Sequence, residues 1–91
     1  MKLIILEPEY VEYMPQKQKL EYGKLYISDR FRLAIHLCAC GCGGATVTPL
    51  DEWSLTKNGE KVTLRPSIGN WSGESPYHAH YFITDNKIEW L

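Results

Sequence analysis

The sequence predicts a small, mostly β domain of antiparallel sheet and hairpins, and three observations predict it. Short runs of alternating apolar and polar residues recur along nearly the whole chain, the pattern of half-buried strands. Turn formers separate those runs, most clearly Asn58-Gly59 between two alternating segments, a strong hairpin signal. No window carries a 3.6-residue apolar period over three turns. At 91 residues the chain is long enough for one domain, residues 1–91, whose small core would benefit from a structural metal.

Taken in order, residues 2–6 are a short β-prone run stopped by Pro8. Residues 10–14 alternate and stop at Pro15. The polar residues 16–21 fit a single helical turn. Residues 24–28, opened by Gly23, alternate again, and Asp29-Arg30 is a turn. Residues 31–37 read as a strand with Phe31, Leu33, Ile35 and Leu37 on one face and Arg32, Ala34 and His36 on the other. A cysteine-rich loop follows, then a short strand at 45–49 and a turn at 51–53. The hairpin around Lys57-Asn58-Gly59-Glu60 comes next. Residues 66–73 look loop-like. Residues 77–84 form a strand carrying His78 and His80, and Asp85-Asn86 turns it into a C-terminal strand at 87–91. There is no repeat, linker or low-complexity tract.

Composition narrows the function. Lys plus Arg is 10 and Asp plus Glu is 11, a net charge of -1, which argues against a nucleic-acid footprint. The apolar N-terminal run is too short for a signal peptide or a membrane span, so no membrane role is expected. With no secretory signal, a reducing cytoplasm is the natural setting for clustered thiols.

All three cysteines lie in the run His36-Leu37-Cys38-Ala39-Cys40-Gly41-Cys42-Gly43-Gly44. A disulfide framework would spread them along the chain and use an even number. Thiolates packed among glycines point instead to a tetrahedral zinc, because glycine lets the backbone curl until neighbouring sulfurs face one ion. The remaining ligand must come from about forty residues away, in Tyr77-His78-Ala79-His80-Tyr81. Cys38, Cys40, Cys42 and His80 are the expected ligands and His78 the next. The competing reading is a set of buried free cysteines. For His36, a partner that hydrogen-bonds the site or the core is favoured over a ligand.

Mixed Cys/His ligation leaves a catalytic zinc open, with a carboxylate to handle the proton. Glu12, inside the apolar Val11-Glu12-Tyr13, is the first candidate base, set against a solvent-facing strand residue. His36 is another candidate for moving the proton. Ser67, on Arg65-Pro66-Ser67-Ile68-Gly69-Asn70-Trp71, could be a nucleophile with a histidine as base, although no Gly-x-Ser-x-Gly elbow is present and loop serines are commonly turn formers. Trp71 and Tyr77 are candidates to pack a substrate.

Several strings occur in order: Val11-Glu12-Tyr13-Met14-Pro15, Gly23-Lys24-Leu25-Tyr26-Ile27-Ser28, the cysteine run, Thr48-Pro49-Leu50, Trp53-Ser54-Leu55, Leu64-Arg65-Pro66-Ser67-Ile68-Gly69-Asn70-Trp71 and His80-Tyr81-Phe82-Ile83. Together they resemble the bacterial domain-of-unknown-function family 6527, from about Tyr10 to Leu91. The resemblance implies a bound zinc. It also implies a processing or deconjugating peptidase acting on a ubiquitin-like protein, beside that protein's activating and conjugating enzymes, with links to phage defence. Many relatives carry Cys-x-Ser-His where this chain has Tyr77-His78-Ala79-His80. A ligand at the family cysteine would here be replaced, with His78 the substitute, and a nucleophile at the family serine would be missing. A metal-activated water survives that change, which tilts the expectation toward a zinc-dependent peptidase. The alternative is a closed, non-catalytic zinc module that recruits a ubiquitin-like protein or its conjugation enzymes.

Overall fold

The computed structural model describes the backbone of residues 5–41, 44–72 and 75–91, and the side chains of those residues outside 70–79. Among the described residues, eight strands form two four-stranded sheets. The first, in spatial order, holds β1 (Glu7–Tyr10), β2 (Lys24–Ser28), β3 (Leu33–Leu37) and β4 (Ala45–Pro49). The second holds β5 (Ser54–Asn58), β6 (Lys61–Ser72), β7 (Ser75–Thr84) and β8 (Lys87–Trp90). All pairings are antiparallel except β1 with β2. A single 3-10 turn, Lys17–Lys19, lies within the polar stretch expected to be helical.

One apolar cluster joins the sheets. Leu6, Leu25, Ile27 and Ala34 meet Val62, Leu64, Ile68, Tyr81, Ile83 and Ile88, with Cys38 and Ala39 in the same cluster. Along one seam the sheets also touch through backbone: Leu6 N–H donates to Asn86 O at 2.8 Å, and Ile5 bridges Lys87. The Asp85-Asn86 turn makes that seam possible. Both residues have positive φ, 48° and 67°, which Asp and Asn tolerate better than most. The Asn86 side chain accepts from Val62 N–H at 2.8 Å, so the turn is tied to the start of β6.

Residues 2–4 lie outside the described residues, and three expectations are corrected. The first strand is Glu7–Tyr10 and includes Pro8, while residues 11–14 are not a strand. Pro8 is accommodated because β1 is an edge strand of its sheet, where a missing donor costs nothing on the open side. Residues 11–22 instead fold over β2. Ser28 Oγ donates to Glu12 O at 2.9 Å, and Glu21 N–H donates to Tyr26 Oη at 3.0 Å, so Tyr26 and Ser28 are buried along with Leu25 and Ile27.

Strand β3 begins at Leu33 and presents Ala34 and His36 inward, the reverse of the face alternation suggested. The third correction concerns residues 66–72, which are strand rather than loop and extend β6 well past its partner β5.

Candidate active site

The site is built on a bulge in β6. Leu64 pairs Ile83 and Ile68 pairs Tyr81, so Arg65, Pro66 and Ser67 stand opposite Phe82 alone. Pro66 explains the irregularity, because it has no N–H for the ladder and proline inside a sheet is confined to bulges and edges. The carbonyls loosened there are met by Arg65. Its guanidinium donates to Leu64 O at 2.8 Å, to Ile83 O at 3.2 Å and to Thr84 Oγ1 at 2.7 Å. It also lies over the Phe82 ring, 4.6 Å from the centroid.

Beyond the bulge regular pairing resumes, and it fixes where the side chains go. Ile68 and Tyr81 are cross-strand partners and both are buried. Alternation therefore turns Ser67 and Gly69 to the opposite face, and Gly69 sits directly across from His80. Ser67 is then the diagonal neighbour of His80, a separation long side chains can bridge. Because Gly69 has no side chain, the imidazole is free to lie across it. Ser67 Oγ is 2.8 Å from His80 Nε2. With Nε2 unprotonated the serine hydroxyl donates to it, the arrangement a nucleophile would need with a general base. Both residues are half-buried, so the pair is open to a substrate.

This geometry makes Gly69 a test position. Gly69→Val would place a branched side chain directly across from His80, and is expected to lower the cleavage rate by about 10²-fold by moving the imidazole away from Ser67. Circular dichroism should show a fold like that of the wild type, and a steady-state cleavage assay checks the rate.

Residues 38–41 of the cysteine run turn tightly after β3. Cys38 N–H donates to Gly44 O at 2.8 Å and Gly41 N–H to Cys38 O at 3.0 Å, with Gly41 at φ 88°, a conformation that suits glycine. The turn brings Cys38 Sγ and Cys40 Sγ to 3.3 Å. Cys42 lies outside the described residues, as does the side chain of His78. Among the described residues no group of three or more His, Cys, Asp or Glu side chains is placed to hold a metal. The joint between the cysteine loop and the histidine strand runs through Tyr81 instead. Its hydroxyl is 2.6 Å from His36 Nε2 and 3.4 Å from Ala39 N.

The structure separates the other expected site residues. His36 is fully buried, and burial pushes its pKa down from 6.5 to about 4. Its Nε2 serves Tyr81, and its Nδ1 has no hydrogen-bond partner among the described residues. Glu12 lies in the segment over β2 and pairs with Arg30 at 3.1 Å, with both side chains more than half exposed. His80 is an expected zinc ligand, and its Nε2 lies within hydrogen-bond distance of Ser67 Oγ. Trp71 and Tyr77 lie on β6 and β7, and their side chains are outside the described residues. A cleft of about 430 Å³ beside the β5–β6 turn is lined by Glu7, Pro8, Tyr10, Gly59, Glu60 and Asn86, and it contains neither member of the Ser67–His80 pair.

Sequence reasoning missed Arg65 as the residue that holds the bulge. The signal was available in Arg-Pro-Ser: a proline inside an extended run frees carbonyls, and an adjacent arginine can satisfy them.

Among the described residues no helix is long and apolar enough to cross a membrane. No curated protein and no solved structure matches the chain. A family model does match, over residues 10–91, and it is described as the bacterial ubiquitination-like system serine protease, BubE. That description carries a serine and a ubiquitin-like setting but no metal. On that match the chain belongs to the BubE family, the serine proteases of bacterial ubiquitination-like systems.

Proposed function

We propose that this protein is a serine peptidase that cuts after the C-terminal tail of a bacterial ubiquitin-like protein, with Ser67 as nucleophile and His80 as base. The observation that carries the reading is the 2.8 Å contact between Ser67 Oγ and His80 Nε2, in a chain of a serine protease family. Ser67 Oγ attacks the scissile carbonyl carbon while His80 Nε2 takes the hydroxyl proton. The C–N bond then breaks, and the proton on His80 passes to the departing amine. Water attacks the resulting acyl-serine, giving up a proton to His80. Release of the carboxylic acid and return of that proton restore Ser67. Processing a precursor and releasing a conjugate are the same reaction with different leaving amines, and both fit a role in phage defence.

The serine route replaces the metal-activated water as the preferred mechanism. The Cys38 and Cys40 sulfurs, 3.3 Å apart on one turn, still suit a soft metal, and zinc held there would be structural. It would cross-link the loop after β3, with Cys42 and His78 as candidates for the remaining positions. None of the bond-making above involves it. Glu12 and His36 receive no step, because Glu12 is tied to Arg30 and His36 to Tyr81.

The test is cleavage of a ubiquitin-like protein fused to a C-terminal extension, run with a chelator or with a fluorophosphonate serine reagent, alongside metal analysis. Inhibition by the serine reagent is expected. The chelator is expected to lower the melting temperature of metal-loaded protein and to leave initial rates at low temperature within about twofold. Chelator-sensitive, reagent-insensitive cleavage would return the chemistry to a metal-bound water.

A further inference from the structure

We infer that the substrate is an extended peptide that adds as a strand to the open edge of β6 beside Ser67, in the position β5 leaves vacant. This rests on the Ser67–His80 reading and specifies how that pair is presented with a scissile bond.

The vacancy follows from the register. Pairing of β5 with β6 stops at Ser54 with Arg65, while β6 continues to Ser72. Pro66 has no N–H to offer a longer β5, which is a local reason for the ladder to end there. Past Arg65, β7 is the strand that pairs β6 among the described residues, so the other edge of β6 keeps backbone donors and acceptors without a strand beside them. Edges of this kind are templates for an added strand.

The order of groups across the sheet selects this edge over the others. His80 is on β7, Ser67 on β6, and the vacant position lies on the far side of Ser67. A strand added there would run about 4.8 Å from β6 and bring one of its residues to about 5 Å, Cα to Cα, from Ser67. From that side a scissile carbonyl leaning over β6 meets Ser67 Oγ, and the hydroxyl proton leaves in the opposite direction, to His80. A peptide on the outer edge of β7 would have His80 between it and the nucleophile. The edges of β1 and β4 belong to the other sheet, and the start of β8 is joined to the chain just before β1 by the Leu6–Asn86 hydrogen bond and the Ile5–Lys87 bridge.

Residues 67–72 offer roughly 20 Å of edge, enough for about five or six extended residues. Main-chain hydrogen bonds recognise an extended, unpaired backbone whatever its side chains. The substrate class is therefore a flexible tail or linker between folded parts, not a peptide bond within a helix or a sheet.

The test uses a dye-labelled synthetic peptide spanning the tail–extension junction of a ubiquitin-like protein from the same system. Single backbone N-methyl groups are placed at successive positions. Binding to Ser67→Ala is followed by anisotropy, and cleavage by wild type is measured on the same peptides. Strand addition is expected to give losses of about tenfold or more at every second position and little effect between them, since alternate amides face the sheet. Equal losses at all positions, no losses, or no binding of the parent peptide would overturn the proposal. Fluorophosphonate labelling of Ser67 is scored separately. Labelling without the alternating pattern rejects the edge and leaves the nucleophile standing, while failure to label rejects the nucleophile itself.

Discussion

Ser67→Ala is expected to lower kcat for cleavage of a ubiquitin-like fusion by at least about 10³-fold while leaving the fold and substrate binding nearly unchanged. The side chain is half-buried on the outer face of the sheet, so removing its oxygen leaves no core cavity. Its hydrogen-bond partner is His80, which water can serve in its place. Loss of either member of a nucleophile–base pair removes most of the rate, and losing both costs little more than losing one. His80→Gln and the double variant should therefore fall within about tenfold of Ser67→Ala. Full-length kinetics with a gel or fluorogenic readout decide this. A rate loss additive over the two sites would mean that they do not act as a unit.

The second large effect is on stability, at Tyr81. This ring is fully buried, 5.0 Å from Trp90 by centroids, and its hydroxyl meets both His36 Nε2 and Ala39 N. Tyr81→Ala should cost about 3–5 kcal/mol through the cavity it leaves. That is a large share of the roughly 5–15 kcal/mol that holds a small domain folded. Tyr81→Phe keeps the packing and removes only the oxygen, stranding a buried imidazole nitrogen and a backbone amide. About 1–3 kcal/mol is expected, less if water reaches them. Urea denaturation of the two variants measures both numbers. A Phe variant as stable as wild type would show that the hydroxyl is not what ties the cysteine loop to β7. Because Tyr81 faces away from Ser67, folded Tyr81→Phe should keep its cleavage rate at low temperature.

These two residues show how far the sequence could be read. Strands β2, β4, β7 and β8, the Asn58-Gly59 hairpin and the Asp85-Asn86 turn follow from alternation and turn chemistry, which act over a few residues. The inward face of β3 did not, because Ala34 and His36 look less apolar than Leu33, Ile35 and Leu37. His36 becomes a core residue only through the Tyr81 hydroxyl, from a strand 45 positions away. Residues 66–72 read as loop because proline, glycine and serine mark turns when pairing is unknown. Paired with β7, the same residues form a bulge and then a strand. Ser67 with a histidine as base was legible as one of several chemistries. That His80 is the histidine beside Ser67 depends on register, which sets it opposite Gly69. The cysteine run dominates the sequence and drew His80 toward a metal, whereas in the structure its imidazole meets a serine.

The most direct measurement of the central claim is fluorophosphonate labelling followed by peptide mapping, on wild type and on His80→Gln. The expected result is a single adduct on Ser67 in wild type that forms at least about 10²-fold more slowly in His80→Gln, with both proteins folded. An adduct elsewhere, or no adduct on a folded enzyme that still cleaves its fusion substrate, would contradict Ser67 as the nucleophile and His80 as its base.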